Sequence, residues 1–307
     1  MRSSTSSSDM ANKALLRIVS FFAATLAIAI LASEALVRLQ VLPQDNYANH
    51  VSILMATDRP DVAFGDSRTA RGFVAGDGFV NLAFPSEGIS HMAWKAETHF
   101  AELQPGRVIL QADPHFFAPY RLNRRFEPYP ELSAEFASPK AFHMAEPRHR
   151  VRLPGYWVRF IENGFILNSK IMQTGDGALL SPGDFAALDP RAQMLQARKR
   201  AIIHQTGASV LVKRAQVEYA QMLDALVEKG AEVCLVSYPV SQAYMAAVGS
   251  SSRDHIRFFK NEAQRTGVRY VDARTIVPNQ HYFRDSDHLN AAGAKVFSNT
   301  LVSLCFG

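Results

Sequence analysis

The residues that could carry chemistry stand at two places far apart in the chain. Gly65, Asp66 and Ser67 follow directly on a short apolar segment, and near the carboxyl end Asp285 lies three residues before His288. A serine hydroxyl is a weak nucleophile near neutral pH. It needs a base, and the base needs an anion that fixes its tautomer and stabilises its cation. Ser67, His288 and Asp285 supply these three side chains, so we predict a nucleophile, a general base and an orienting acid.

The segments next to Ser67 suit a nucleophile. Residues 61–64 are apolar and predict a short strand. Gly65 allows a tight turn, which places Ser67 at the end of the strand and beside a helix amino terminus, where backbone N–H groups can face a developing oxyanion. We expect Asp66 to hydrogen-bond the turn rather than to act in catalysis. Arg68 has two interpretations, a clamp for an anion or a solvated residue of the first helical turn.

Apolar segments that predict strands alternate with segments of helical periodicity. The predicted strands cover residues 61–64, 79–82, 107–111, 232–237 and 268–272. This alternation predicts an α/β fold with a parallel, doubly wound sheet of five strands. Asn290 is the predicted N-cap of a final helix that begins at Ala291 and runs towards Leu304.

Residues 120–207 interrupt this alternation and predict an insertion, or cap, within a domain of residues 43–307. An excursion after the third strand is well placed to cover a site at the carboxyl ends of the strands. Tyr156, Trp157 and Phe160 have two interpretations. They stack on sugar rings or, as we predict, they form a small core of the insertion itself.

The sequence Phe-Gly-Asp-Ser that ends at Ser67 resembles the first block of the SGNH/GDSL hydrolase superfamily, and the Asp285-x-x-His288 pattern resembles its last block. The resemblance covers residues 61–304 and implies a three-layer, flavodoxin-like fold with five parallel strands. It also implies that Ser67, His288 and Asp285 form a catalytic triad. Asp287 is the alternative orienting acid.

Residues 81–88 are similar to the second block, which implies that Gly88 donates a backbone N–H to the oxyanion. The third block departs from the family pattern, because the chain has Gln-Ala-Asp-Pro-His, ending at His115, where the family has Gly-x-Asn-Asp. The usual Asn donor is therefore missing. Loss of one such donor costs about 2.7–4 kcal/mol in other enzymes, so Arg68 or another group replaces it, or the enzyme is slow. Asp113 is a candidate for lining the substrate pocket, although we predict that Asp113 and His115 mainly end the third strand.

This departure, the N-terminal segment and residues 238–244 are together similar to exported SGNH proteins that handle acyl groups on cell-envelope polysaccharides. The similarity implies transfer or removal of an O-acyl group, such as acetyl, outside the cytosol. The substrate would be an acylated glycan or another ester, and a membrane protein is a candidate acyl donor. Three alternatives stay open: a lipid or small-ester hydrolase, a noncatalytic envelope scaffold with the same fold, and a membrane-surface binding module.

The first 42 residues predict a membrane segment. Cations at Arg2, Lys13 and Arg17 precede an uncharged run over residues 18–33. This run is shorter than the roughly 20 residues that span a bilayer, but apolar flanks lengthen it if Arg17 and Glu34 snorkel. We predict a single-pass signal anchor in the cell membrane, with the catalytic domain outside the cytosol. The alternatives are a cleaved signal peptide, which would give a secreted protein, and the buried first helix of a soluble domain.

Charge and composition argue against other kinds of site. The 33 basic and 28 acidic residues are interspersed and leave a net charge of +5, so we predict no nucleic-acid partner. There is no P-loop or Gly-rich dinucleotide motif, and no cofactor is predicted. The spacing of His143, Glu146 and His149 resembles that of metal ligands, but a proline between them disrupts a regular helix, and we predict no metal site. Cys234 and Cys305 match no zinc or redox spacing, and we predict two buried thiols rather than a disulfide.

Overall fold

The computed structural model describes residues 6–41, 46–76, 78–123, 142–145, 147–162, 164–165, 172–174, 177–206 and 209–307. The chain forms two compact units. The first, the anchor unit, comprises residues 1–49 and 134–169, and the second, the sheet unit, comprises residues 50–133 and 170–307. The predicted insertion is thus divided between the two units.

The elements have the following bounds. The helices are α1 (Ser6–Leu36), which continues as a π-helical turn (Val37–Val41), α2 (Asn46–Ala56), α3 (Ser67–Gly72), α4 (Ile89–His99), α5 (Pro119–Leu122), α6 (Pro147–Glu162), α7 (Pro190–Ile203), α8 (Val210–Glu228), α9 (Gln242–Val248), α10 (Arg253–Thr266) and α11 (Ala291–Phe306). The strands are β1 (Asp61–Phe64), β2 (Phe79–Asn81), β3 (Arg107–Gln111), β4 (Met172–Gln173), β5 (Leu179–Leu180), β6 (Glu232–Ser237), β7 (Arg269–Asp272), β8 (Phe283–Asp285) and β9 (His288–Leu289).

Five parallel strands form the central sheet in the order β2-β1-β3-β6-β7. This is the order of flavodoxin-like folds, in which ligands bind beyond the carboxyl ends of the strands. The α/β class and the five parallel strands confirm the prediction from sequence. The predicted bounds of β1, β3 and β6 match, whereas β2 ends one residue early at Asn81 and β7 begins one residue late at Arg269.

Helices cover both faces of this sheet, so its strands are buried on both sides. Val62 and Phe64 of β1 lie in one apolar cluster with Phe259 of α10. Ala63, between them, lies in the opposite cluster with Phe297 of α11. Alternate residues of a strand point to opposite faces, so this division identifies three layers.

Cys234 and Cys305 form a disulfide, and the prediction of two free thiols was wrong. Cys234 lies on the face of β6 that α11 covers, and its Cα is 5.5 Å from that of Cys305 near the end of α11. A sequence separation of 71 residues gave no sign of this pairing. The pairing depends on α11 returning across the sheet, which spacing alone does not reveal.

The anchor unit contains the long N-terminal helix. Among the described residues, one helical segment, Ala11–Val41, is long and apolar enough to cross a membrane. At its carboxyl end, Leu36 and Val37 are buried in a cluster with Tyr156 of α6, and Trp157 and Phe160 pack against this cluster. These aromatic residues therefore form a small apolar core, as predicted, but the prediction that this core belongs to the insertion alone was wrong, because it includes the end of the N-terminal helix.

Candidate active site

Ser67, His288 and Asp285 form one hydrogen-bonded chain. The Oγ of Ser67 lies 2.8 Å from Nε2 of His288, and Nδ1 of His288 lies 2.8 Å from Oδ1 of Asp285. Asp287, the alternative acid, is farther away, with Oδ1 3.7 Å from Nδ1 of His288. The structure thus places Asp285 in the position of the orienting acid.

Local hydrogen bonds fix Asp285 in that position. The backbone N–H groups of Asp287 and His288 donate to Oδ1 of Asp285 over 3.1 Å and 3.0 Å. Burial raises the pKa of Asp285, but the adjacent His288 and these hydrogen bonds outweigh burial and hold the pKa below its usual value. Asp285 is therefore ionised at neutral pH, as a partner of an imidazolium must be.

Two short elements position the three side chains of the hydrogen-bonded chain. Ser67 is the first residue of α3, directly beyond the carboxyl end of β1, and the β8–β9 hairpin carries Asp285 and His288. Asn290 follows this hairpin, where its side chain accepts from the N–H of Gly293 and caps α11, as the sequence predicted. Ser67 and His288 are only 8% and 6% exposed, so their hydrogen bond lies largely out of water.

Asp66 holds the turn in front of Ser67. Its carboxylate accepts from the N–H of Arg68 (2.9 Å), from Gln111 (3.0 Å), from Nε2 of His115 (2.7 Å) and from Arg121. Burial raises the pKa of Asp66, but His115, Arg121 and these hydrogen bonds keep it well below its usual value. The predicted turn-stabilising role of Asp66 agrees with these contacts.

The turn at residue 65 has no space for a side chain, so it requires glycine. A Cβ on Gly65 would collide with the side chains of Thr69 and Gln111. Gln111 occupies that space because its Oε1 accepts from the N–H of Asp66 and from the hydroxyl of Thr69, over 2.7 Å and 2.8 Å. The close approach of these groups fixes the backbone that presents Ser67.

Arg68 is buried, so the solvated-residue interpretation was wrong. Its guanidinium lies 3.3 Å from Asp113 and 3.3 Å from Asp287, and it stacks over the ring of Tyr244 at 5.1 Å. Burial lowers the pKa of Arg68, but Tyr244 and the two carboxylates more than compensate and raise it. Arg68 therefore lies in a charge-balanced cluster next to the triad.

Asp113 and His115 directly follow β3, as predicted, and they also line a cavity. The cavity has a volume of about 30 Å³, and Arg68, His204 and Tyr244 lie on its other walls. Burial raises the pKa of Asp113 to about 6. Burial and Arg68 lower the pKa of His115 to about 4. The position of these two residues at the end of β3 is confirmed, whereas a role of Asp113 in lining the substrate pocket stays a prediction.

Helix α7, inside the predicted insertion, supplies residues that sequence reasoning missed. Nε of Arg200 donates to Oδ1 of Asp287 over 2.9 Å. His204, which caps the end of α7, lies with Nδ1 2.6 Å from the hydroxyl of Tyr244. No motif marks either residue. The only hint was that an insertion after the third strand can reach the carboxyl ends of the strands.

Gly88 lies on a loop, residues 82–88, that a buried ion pair holds in place. Lys95 donates to Glu87 over 2.6 Å, and the same carboxylate oxygen accepts from the N–H of Phe84 over 3.2 Å. Ser86 adopts a left-handed conformation, with φ of 73°. Burial raises the pKa of Glu87 to about 7, against the opposing effect of Lys95. The sequence gave no signal for this pair.

Gly88 itself is the N-cap of α4, and its N–H lies 3.4 Å from Nδ1 of His91. It lines a cleft of about 500 Å³, a volume in the range of small-molecule sites. Arg121 also lines this cleft and reaches back to Asp66, next to the nucleophile. The remaining lining residues of the cleft include Ile89, Trp94, Phe116, Leu122, Arg214 and Glu218.

Within the part of the chain that the structure describes, one group of side chains has the proximity of metal ligands. It consists of Asp285, Asp287 and His288, whose ligand atoms lie within 4.8 Å of one another. These atoms already have partners, since Asp285 bonds His288 and Asp287 bonds Arg200. The side chains of His143, Glu146 and His149, whose spacing resembles that of metal ligands, lie outside the described residues.

No family model and no curated protein matches the sequence. Among solved structures, the chain is similar to a proposed acylhydrolase from Bacteroides fragilis, with 10% identity, a TM-score of 0.41 and coverage of 83% of this chain and 92% of that one. It is also similar to a proposed platelet activating factor from Streptococcus pneumoniae, with 13% identity, a TM-score of 0.41 and coverage of 94% and 99%. Similarity this low carries no information about substrate.

Proposed function

We propose that the protein performs serine-dependent ester chemistry outside the cytosol, transferring or removing an O-acyl group, such as acetyl, on a cell-envelope polysaccharide. The observation that carries this proposal is the continuous hydrogen-bonded chain from Ser67 through His288 to Asp285. A nucleophilic serine requires these three groups in this order and within hydrogen-bond distance.

The reaction follows from the geometry. Ser67 attacks the ester carbonyl while Nε2 of His288 takes the hydroxyl proton, and Asp285 stabilises the resulting imidazolium. The carbonyl oxygen becomes an oxyanion, for which the N–H of Gly88, with its long 3.4 Å contact to His91, is the proposed donor. His288 then returns the proton to the leaving alkoxide, and the acyl group remains on Ser67.

The fate of the acyl group separates hydrolysis from transfer. Water releases a free acid, whereas a sugar hydroxyl produces a new ester, and His288 serves as base for either nucleophile. The outcome depends on what the site holds close to the acyl carbon. The cleft beside Gly88 is the candidate position for the glycan, because its wall continues through Arg121 to the turn that presents Ser67.

Two further features support a location outside the cytosol. The segment Ala11–Val41 can cross a membrane. The Cys234–Cys305 disulfide is of a kind that persists in oxidising compartments and is rare in the cytosol.

The first test is covalent labelling of the full chain, in detergent, with a fluorophosphonate probe. We expect labelling of the natural protein and its loss in Ser67→Ala and His288→Ala. Ser250→Ala, an exposed serine, and His281→Ala, an exposed histidine, are the matched controls and should label normally. A folded protein that does not label would instead favour the noncatalytic scaffold.

The second test separates the possible acceptors. The natural protein is given an activated acetyl ester with and without a purified envelope polysaccharide, and the products are acetate and acetylated glycan. Acetylated glycan that depends on Ser67 supports transfer. Release of acetate from an acetylated glycan supports removal. Hydrolysis of small esters or lipids, with neither acetylation nor deacetylation of the glycan, would favour the alternative of a lipid or small-ester hydrolase.

A further inference from the structure

The exposure of the N-terminal helix changes abruptly at one point. Residues 11–32 are exposed on all sides. Ser33, Glu34, Leu36 and Val37 are then between 0% and 7% exposed. The apolar segment therefore ends where the folded part of the anchor unit begins.

Helix α6 is what covers this end. The indole N–H of Trp157 donates to Oγ of Ser33 over 3.3 Å, and Tyr156 is buried with Leu36 and Val37. The backbone N–H of Met144, just before α6, donates to the carboxylate of Glu34 over 2.8 Å. The uncharged run over residues 18–33 rises about 24 Å as a helix, and its apolar flanks lengthen it towards the hydrocarbon thickness of a bilayer. If the segment spans a membrane, α6 lies at the membrane surface.

Helix α6 has apolar side chains on two sides, and the described residues of the chain cover only one of these sides. The covered face carries Leu153, Tyr156, Trp157 and Phe160, at helical spacing. The opposite face carries apolar side chains that are strongly exposed. They are Val151 (80% exposed), Val158 (53%) and Ile161 (59%), and Phe165 (65%) follows just beyond the helix.

Cations flank this exposed apolar face. Arg150, Arg152 and Arg159 are all exposed, and Glu162 is the one exposed acidic residue among the described side chains of α6. A helix that faces only water presents a polar outer face. An apolar stripe flanked by arginines is instead typical of helices that lie in the plane of a membrane surface.

We propose that α6 binds the surface of the bilayer that holds the N-terminal helix, with the exposed valines and Ile161 in the boundary between headgroups and acyl chains. The three arginines then reach outward to the phosphates of anionic lipids, with their aliphatic stems over apolar surface. The occupant of this face is the bilayer, because the same helix is fixed through Tyr156 and Trp157 to the end of the membrane segment. This surface is independent of the proposed ester chemistry.

The test places a polarity-sensitive fluorophore at single positions of the full-length protein. Val151→Cys and Val158→Cys are the test sites, and Val210→Cys is the matched control, because Val210 is an equally exposed valine (82%) on the sheet unit. The described residues contain no free cysteine, which makes the label specific. The labelled proteins are reconstituted in phosphatidylcholine vesicles that contain roughly one-third phosphatidylglycerol as anionic lipid.

We expect the emission at positions 151 and 158 to be blue-shifted and to be quenched several-fold more by lipid-borne spin labels than the emission at position 210. The triple variant Arg150→Gln, Arg152→Gln and Arg159→Gln should weaken this quenching, and so should vesicles without anionic lipid. Equal lipid quenching at all three positions, with normal far-ultraviolet circular dichroism, would overturn the proposal. If quenching at positions 151 and 158 is the same in the triple arginine variant and in vesicles without anionic lipid, the proposed role of the lipid headgroups is overturned.

Discussion

Asp287 places a second carboxylate beside His288, with Oδ1 of the aspartate 3.7 Å from Nδ1 of the imidazole. Two cations hold this carboxylate from the other side. Nε of Arg200 donates to it over 2.9 Å, and the guanidinium of Arg68 lies 3.3 Å away. The carboxylate of Asp287 is therefore already bound, and Nδ1 of His288 is left to Asp285, 2.8 Å away.

Substitution of Arg200 tests this arrangement. Arg200 is 35% exposed in its side chain, so Arg200→Gln should fold normally. Without this partner the carboxylate of Asp287 can compete with Asp285 for Nδ1 of His288, and the rate of fluorophosphonate labelling should fall several-fold. Asp287→Asn in the same background should restore the rate. An unchanged rate in a folded Arg200→Gln variant would show that the pair has only a structural role.

Asp285 should matter far more than Asp287 for the rate. Asp285→Asn keeps the shape of the side chain but cannot hold the correct tautomer of His288, and in serine proteases the equivalent change lowers kcat by about 10⁴-fold. Asp287→Asn should have a much smaller effect, because its contact with Nδ1 is 3.7 Å rather than 2.8 Å. Single-turnover acylation rates of both variants decide the point. Equal losses would mean that the two acids share the orienting role.

The buried pair of Glu87 and Lys95 should make stability depend on pH. Burial raises the pKa of Glu87 to about 7 from a reference value of 4.5, so the folded state favours the protonated acid. Its contribution to stability is therefore full below about pH 4.5 and is lost as the pH rises through about 7. Urea unfolding between these pH values measures the slope. Glu87→Gln, which cannot ionise, should flatten it, and a slope that stays unchanged would contradict the assignment.

The disulfide should contribute substantially to stability. A crosslink that closes a loop of this length, 71 residues, is worth about 4 kcal/mol in the chain-entropy description. The free energy of unfolding of the double variant Cys234→Ala, Cys305→Ala, measured by urea unfolding, should be lower by that amount. Natural protein kept in reductant should behave in the same way. If reductant destabilised the double variant as well, the effect would have to come from elsewhere.

The sheet could be read from the sequence because its signals are local. Residues 108–110 and 233–236 are short, continuous apolar runs followed by breakers, and such runs predict buried parallel strands without knowledge of their neighbours. The triad was also accessible, because Ser67 and the Asp285–His288 pair each stand at the edge of a predictable element.

The charged residues around Ser67, His288 and Asp285 could not be predicted in this way. Arg200 meets Asp287 across 87 residues of sequence, and the contact depends on how α7 docks at the carboxyl ends of the strands. Cys234 and Cys305 meet for the same kind of reason. An arginine or a buried carboxylate has no periodicity of its own, so only the packed structure reveals which charges balance one another.

The shared core of α1 and α6 decides how a soluble version of this protein must be cut. Removal of residues 1–42 alone would take Leu36 and Val37 away from Tyr156 and leave an aromatic surface open to water. Such a fragment would tend to aggregate, whatever the state of its triad. A soluble enzyme should instead lose both pieces of the anchor unit, with a short polar linker that joins residue 133 to residue 170.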